Sequence, residues 1–238
     1  MTMQSPVGTG RRGRNMRDKQ DRIMAAASSL FAERGFDGVG VQEIADVADV
    51  AAGTLFRYAS SKAELLLMVY NDQFRGAIET RADIAAVSAD PVSQVCAMVD
   101  SIIDVAAQHP GNAMAYQREL LFGDPGERYR AEGLALVDRL QGNIADALSA
   151  GRDDVAVGGD RVMECARRGA RSVFALLHLL LAQPSTAADW GLDSKRELHD
   201  HIAQIVLGYF AAASSETALH HVDSVVTKTD KTERSRQR

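Results

Sequence analysis

Seven residues between positions 42 and 62 have the types and spacing to grip a phosphate-lined groove: Gln42, Gly53, Thr54, Phe56, Arg57, Tyr58 and Lys62. Wound as a helix at about 100° per residue, residues 52–59 turn Ala52, Leu55 and Ala59 to one side and Gly53, Thr54 and Arg57 to the other. Phe56 and Tyr58 fall on opposite shoulders. Gly53 allows close approach, Thr54 offers a hydroxyl and a methyl, and Arg57 reaches a guanine edge or a phosphate. Tyr58 can donate to a phosphate oxygen, whereas Phe56 can only pack on a sugar or a thymine methyl. The chemistry is recognition of double-stranded DNA.

Such a face needs elements to hold it. A first helix is expected over residues 17–34, burying Ile23, Ala27, Leu30, Phe31 and the stem of Arg34, with Gly35 as its left-handed stop and Phe36 folding back onto the cap. A second is expected over 41–48, with Val41, Ile44, Ala45 and Ala48 on one face. Asp49, Val50 and Ala51 form a turn in which Asp49 tolerates a left-handed backbone and Val50 plugs the core. A third helix over 52–58 follows, giving a helix-turn-helix whose second member enters the major groove. "SKAE" at 61–64 fits a capping box opening a fourth helix. Lys62 in that first turn opposes the helix dipole, by about 0.3–1 kcal/mol, unless it and the helix start hold a phosphate together.

Farther on, apolar periodicity predicts helices over 61–83, 91–108, 112–122, 126–149, 160–182 and 194–213. They are separated by "HPGN", "GDPGE", "GRDDVAVGGD" and "QPSTAADWGLDS". The fold class is all-α, and residues 214–238 read as a mobile tail. Residues 1–16 read as a flexible arm whose Arg11, Arg12, Arg14 and Arg17, with Lys19 beyond, either enter a minor groove or stay solvated.

Composition narrows the classes. The 238 residues carry a net charge of −5, yet residues 1–62 hold nine Lys/Arg against seven Asp/Glu, a balance of +2, which leaves −7 for the rest. A nucleic-acid partner should therefore meet the first quarter. The longest apolar run, "VFALLHLLLA", is about half of the roughly 20 residues a membrane span needs. A cytoplasmic protein is expected. Cys96 and Cys165 lie in apolar-periodic segments and read as small buried hydrophobes. His199 and His201 do not share a helix face, and no nucleophile elbow, phosphate-cradling loop or metal spacing occurs, so neither catalytic residues, metal nor cofactor is expected.

"GFDGVGVQEIADVADVAAGTLFRYASSKAELL" resembles the DNA-binding domain of the tetracycline-repressor (TetR) family, the match covering about residues 17–66. The resemblance implies a larger helical domain at 67–213 that binds a small-molecule effector and forms a homodimer. Several residues depart from the family pattern. Val39 and Gly40 stand for the common Thr-Thr, Asp49 for glycine, Ala51 for the capping serine, Phe56 for tyrosine and Ala59 for phenylalanine.

Two late stripes are candidates for the dimer interface: Val162, Ala166, Gly169, Ala170, Val173, Leu177 and Leu180, and then Leu198, Ile202, Ile205 and Tyr209. The alternative is that both face their own core. Tyr116, Phe122, Phe174, His178 and Trp190 are candidates for an effector pocket, each as easily core. The expected function is a ligand-responsive regulator, a repressor on a palindromic operator. The alternatives are a helical ligand-binding or enzymatic protein with a structural hairpin, and a DNA binder without an effector.

Overall fold

The computed structural model describes residues 11–85, 90–150, 159–182 and 194–214. Among them every regular element is a helix: α1 (Arg11–Arg34), α2 (Val41–Val47), α3 (Ala52–Leu55), α4 (Lys62–Ala85), α5 (Pro91–Gln108), α6 (Pro110–Phe122), α7 (Arg128–Ala150), α8 (Gly159–Leu181) and α9 (Ser194–Ser214). The expected all-α class is what the chain adopts. None of these helices is long and apolar enough to cross a membrane.

Among the boundaries that differ from expectation, two change how a segment is read. α1 begins at Arg11, so the basic arm is helical where it is described, because Arg, Lys and Gln are good helix formers and Gly13 alone does not stop the run. α6 begins at Pro110, so the "HPGN" break shrinks to His109. Proline suits the first helical position, where its missing N–H costs nothing, and Asn112, expected as the first helical residue, lies within the first turn. The segments 151–158 and 183–193, which include Trp190, and the 215–238 tail lie outside the described residues.

Packing divides the chain into two units. The first holds α1 to α3, α4 as far as Thr80, and Ser101–Asp138. At its centre "LLLMVY" of α4, residues 65–70, is buried on every side, as a helix surrounded by others must be. Ile23, Ala27, Leu30 and Phe31 of α1, Ile44 and Ala45 of α2 and Leu55 of α3 join this core. Arg34 departs from the expected stripe: its exposed guanidinium binds Glu43 of α2 and the Gly38 carbonyl.

Buried amides tie the unit together. Asn112 of α6 donates to the Phe31 carbonyl at 2.8 Å and accepts the Phe36 N–H at 2.6 Å, completing the end of α1 where Gly35 turns left-handed at φ 72°. Asn71 of α4 donates to the Tyr129 carbonyl at 2.7 Å and accepts the Tyr116 hydroxyl at 2.8 Å. Gly133 of α7 faces that pair; a Cβ there would lie 2.7 Å from Leu120, 2.8 Å from Asn71 Oδ1 and 3.0 Å from the Tyr116 hydroxyl.

The second unit holds Pro91–Asp100 of α5, α7 from Arg139, α8 and α9. α8 and α9 pack on each other. Asp100 accepts from His199 at 2.7 Å and Lys195 at 3.3 Å, pinning α5 to α9. Cys96 and Cys165 are half-buried rather than fully buried. Desolvation, and after it the charges of Asp100 and Asp90, push the Cys96 thiol up to about 11.

Candidate nucleic-acid interface

The end of α2 has the bonding pattern of a Schellman cap. Val50 N–H reaches the Ala45 carbonyl at 3.0 Å and Asp49 N–H the Asp46 carbonyl at 3.1 Å, with Asp49 left-handed at φ 51°. Asp49 fills the place where glycine is best suited, at a cost of about 1–2 kcal/mol. Its carboxylate takes a hydrogen bond from Arg22 at 2.9 Å. Val50 is only half-buried, so the plug beneath the turn is shallower than its type implies.

Neither short helix has a side-chain cap. Gly40 precedes α2 and Ala51 precedes α3, both in extended conformation. α3 ends at Leu55 rather than continuing to Tyr58. Beyond it the bonds tighten to i→i+3, from Arg57 to Thr54 at 3.1 Å and from Tyr58 to Leu55 at 2.8 Å. An uncapped helix of four residues cannot persist by itself; Leu55 at its last position and Ala59 just beyond, both buried, hold it.

The outward face appears where the helical winding places it. Gly53 and Arg57 are exposed, Thr54 is half-buried, and Phe56 is 50% exposed. Gly53 is informative because neither packing nor backbone demands it. A Cβ there would meet nothing within 4 Å, and its φ is not positive. Val47, 59% exposed at the end of α2, adds a second apolar side chain to the hairpin surface. Tyr58 is half-buried and its hydroxyl donates to the Met16 carbonyl at 3.2 Å, tying the basic start of α1 to the hairpin. Arg14 and Arg17 are exposed on that start, and Arg11 and Arg12 head the helix.

Lys62 is placed differently from the sequence argument. Its ammonium donates to the carbonyls of Phe36 at 2.9 Å and Val39 at 3.1 Å, and lies 4.3 Å from the Phe36 ring centroid. Two of an ammonium's three protons are thus spent on the α1–α2 loop, and these carbonyls offset the dipole penalty. Gln42 is exposed and donates to Asp46 at 2.8 Å. The acids of α2 and its turn are therefore matched one by one: Glu43 by Arg34, Asp46 by Gln42 and Asp49 by Arg22. Two of the three are paired with a cation and the third with a neutral amide, which limits the negative charge on a surface that would meet phosphates.

The late stripes are consumed within one chain. Ala166, Ala170, Val173, Leu177, Leu180, Leu198, Ile202 and Tyr209 are buried without a partner copy, and Val162, Gly169 and Ile205 are half-buried. Gly169 admits Leu148 of α7, whose methyl would lie 3.0 Å from an added Cβ. Eight of the eleven stripe residues thus face the core of their own chain, as the alternative reading has it, while Val162, Gly169 and Ile205 stay partly open; periodicity reveals a buried face but not whose chain covers it. The solvent side of the same helices carries Leu179 and Leu207.

The pocket candidates separate likewise. Tyr116 is core, packed on Tyr70 and Phe74 and bonded to Asn71, and Phe122 is 82% exposed. Phe174 and His178 pack ring on ring at 5.5 Å, and burial lowers the His178 pKa.

Residues 23–69 match the family model described as bacterial regulatory proteins, tetR family. Among curated relatives, the chain is 32% identical to the HTH-type transcriptional repressor KstR of Mycobacterium tuberculosis over 109 residues, 45% of this chain and 49% of that protein. It is 42% identical to the HTH-type transcriptional activator FasR of Mycolicibacterium smegmatis over 66 residues, 27% of this chain and 30% of that protein. The matched region thus spans about half or less of these relatives. Among solved structures, the repressor FadR of Thermus thermophilus, in complex with lauroyl-CoA, shares the fold with a TM-score of 0.59 and 23% identity, covering 80% of this chain and 93% of that one. The hairpin, the uncapped α3 and the capping box all lie within the residues, 23–69, that match this family model.

Proposed function

We propose that this protein is a cytoplasmic, ligand-responsive transcriptional regulator that binds a palindromic operator as a homodimer and represses transcription. The observation that carries the reading is Gly53: a glycine required by neither its own fold nor its backbone, on the outward face that Thr54 and Arg57 share. Gly53, Thr54 and Arg57 read bases, with Gln42 beside them. Phe56 packs on a sugar or thymine methyl, Tyr58 borders the groove, and Lys62 keeps one proton for phosphate while shaping the loop behind α2. Arg11, Arg12, Arg14 and Arg17 extend the phosphate contacts along the helical start of α1.

One reading helix this short supplies too little specificity, so two copies related by a twofold axis are needed. The surface for that pairing is the solvent side of α8 and α9. An effector bound in the larger helical region would shift the spacing or angle of the two heads, and half-sites fixed by the DNA repeat convert a small shift into release.

The test is selection of duplexes from random DNA, followed by affinity measurements across salt and a compound screen for release. The screen begins with long-chain acyl-CoAs, because FadR of Thermus thermophilus was solved with one. A palindromic winner released by a small molecule is expected. A folded dimer that enriches no sequence would overturn the reading. Transcription of a reporter downstream of the winning sequence then separates repression from the activation named for FasR.

A further inference from the structure

The starts of α4 and α7 cap each other. Glu64, 5% exposed, accepts the Ser60 N–H through Oε2 at 2.5 Å, and through Oε1 the N–H groups of Arg128 at 3.1 Å and Tyr129 at 3.4 Å. In the other direction the hydroxyls of Ser60 and Ser61 donate to Glu127 Oε1 at 3.2 and 3.1 Å. Glu127 is itself the residue before α7, its carbonyl taking the helix's first bond from Ala131. Ser61 also caps Glu64 N–H at 3.0 Å. The contacts therefore close a loop between residues 60–64 and 127–129, with a carboxylate at each helix start, where the dipole favours it.

In an ordinary capping box the glutamate serves only its own helix start, reaching back to the backbone N–H there. Here one oxygen serves α4 and the other serves α7. Ser60 follows Tyr58 and Ala59, so the loop is attached to the chain as it leaves the reading helix. Its other end is the turn between α6 and α7, residues 123–127.

We propose that Glu64 and Glu127 are positioning residues for DNA reading. Their reciprocal cap links the exit of α3 energetically to the α6–α7 turn, so that occupancy of the reading face and the state of that turn each bias the other. The proposal rests on the DNA-binding reading above. Linkage makes the effect reciprocal: DNA held at residues 53–58 must tighten the cap at 127–129.

The experiment is amide hydrogen exchange on the full chain with and without the selected operator duplex, together with duplex affinity, for wild type, Glu127→Ala, Glu127→Gln and Glu64→Gln. Duplex should slow exchange at the Arg128 and Tyr129 amides in wild type. Glu127→Ala, which acts at a half-buried site and leaves Glu64 in place, should erase that protection and weaken the duplex roughly five- to tenfold. Glu127→Gln, still an acceptor, should restore most of both. Glu64→Gln should lose the protection while its helical content confirms folding. A purely structural cap would lower the melting temperature and leave duplex affinity and the protection pattern unchanged, which would overturn the proposal alone. Failure of the folded wild type to bind any duplex would overturn it together with the function on which it rests.

Discussion

The reading hairpin and the frame beneath it obey opposite rules. In the hairpin, α2 and α3 begin without side-chain caps, an aspartate takes the left-handed position, and Phe56 and Val47 stand in solvent. In the frame, the buried polar groups Glu64, Asn71 and Asn112 all find partners on other elements. The contrast separates the region that supplies stability from the one to which DNA contact is assigned above. Marginal local structure is tolerated in the hairpin because α4, α6 and α7 hold it, which frees its surface residues to be chosen for what they touch.

The largest effect that would test this division is in the frame. Asn112→Ala would strip the Phe31 carbonyl and the Phe36 N–H of their amide partner. Each buried group left unpaired costs about 1–3 kcal/mol, so a loss of about 2–5 kcal/mol in denaturant unfolding is expected. A loss under about 1 kcal/mol would mean that the hairpin holds itself together and the contrast is wrong.

Two glycines give a paired test of intermediate size. Gly133→Ala places a methyl against Leu120, Asn71 and the Tyr116 hydroxyl, an overpacking worth about 1–3 kcal/mol. Gly53→Ala meets no atom and should leave stability unchanged or raise it by up to about 1 kcal/mol. Operator binding should respond the other way, falling at least tenfold for Gly53→Ala and staying near wild type for Gly133→Ala at temperatures where it remains folded. If both variants lose stability alone, Gly53 has no role at a surface.

How much of this was legible in the sequence follows from the range of the interactions. Gly35, Asp49 and the Ser61–Glu64 box act within a few residues, and all occur as their types imply, except that Glu64 takes the Ser60 N–H and lends its second oxygen to α7. The inward Leu55 and outward Gly53 and Arg57 follow from helical winding alone. The carbonyl acceptors of Lys62 lie 26 and 23 residues earlier, on a loop whose carbonyls carry no sequence signal, so these bonds are not legible in the sequence. Asn112, in a stretch that reads as a turn, serves groups 81 and 76 residues away. The α8 and α9 stripes were recognisable as buried faces, but the small Gly169 admits Leu148 of the same chain, a pairing that only the fold reveals.

The smallest stability change sharpens the contrast from the hairpin's side. Asp49→Gly removes a left-handed non-glycine residue from the α2 cap and should stabilise the protein by about 1 kcal/mol. It also removes a carboxylate whose side chain is 95% exposed, and frees Arg22, its partner at 2.9 Å. If this surface meets phosphates, the loss of one negative charge and the release of one positive charge should tighten duplex binding and steepen its salt dependence by about one unit. Arg22→Ala should do the reverse, leaving Asp49 unmatched beside the DNA while stability barely moves, because an exposed pair contributes about 0–1 kcal/mol. Measuring affinity against salt for both variants separates the backbone effect from the electrostatic one: a shift in unfolding midpoint without a shift in slope would place Asp49 outside the contact surface, and opposite slopes for the two variants would place it inside.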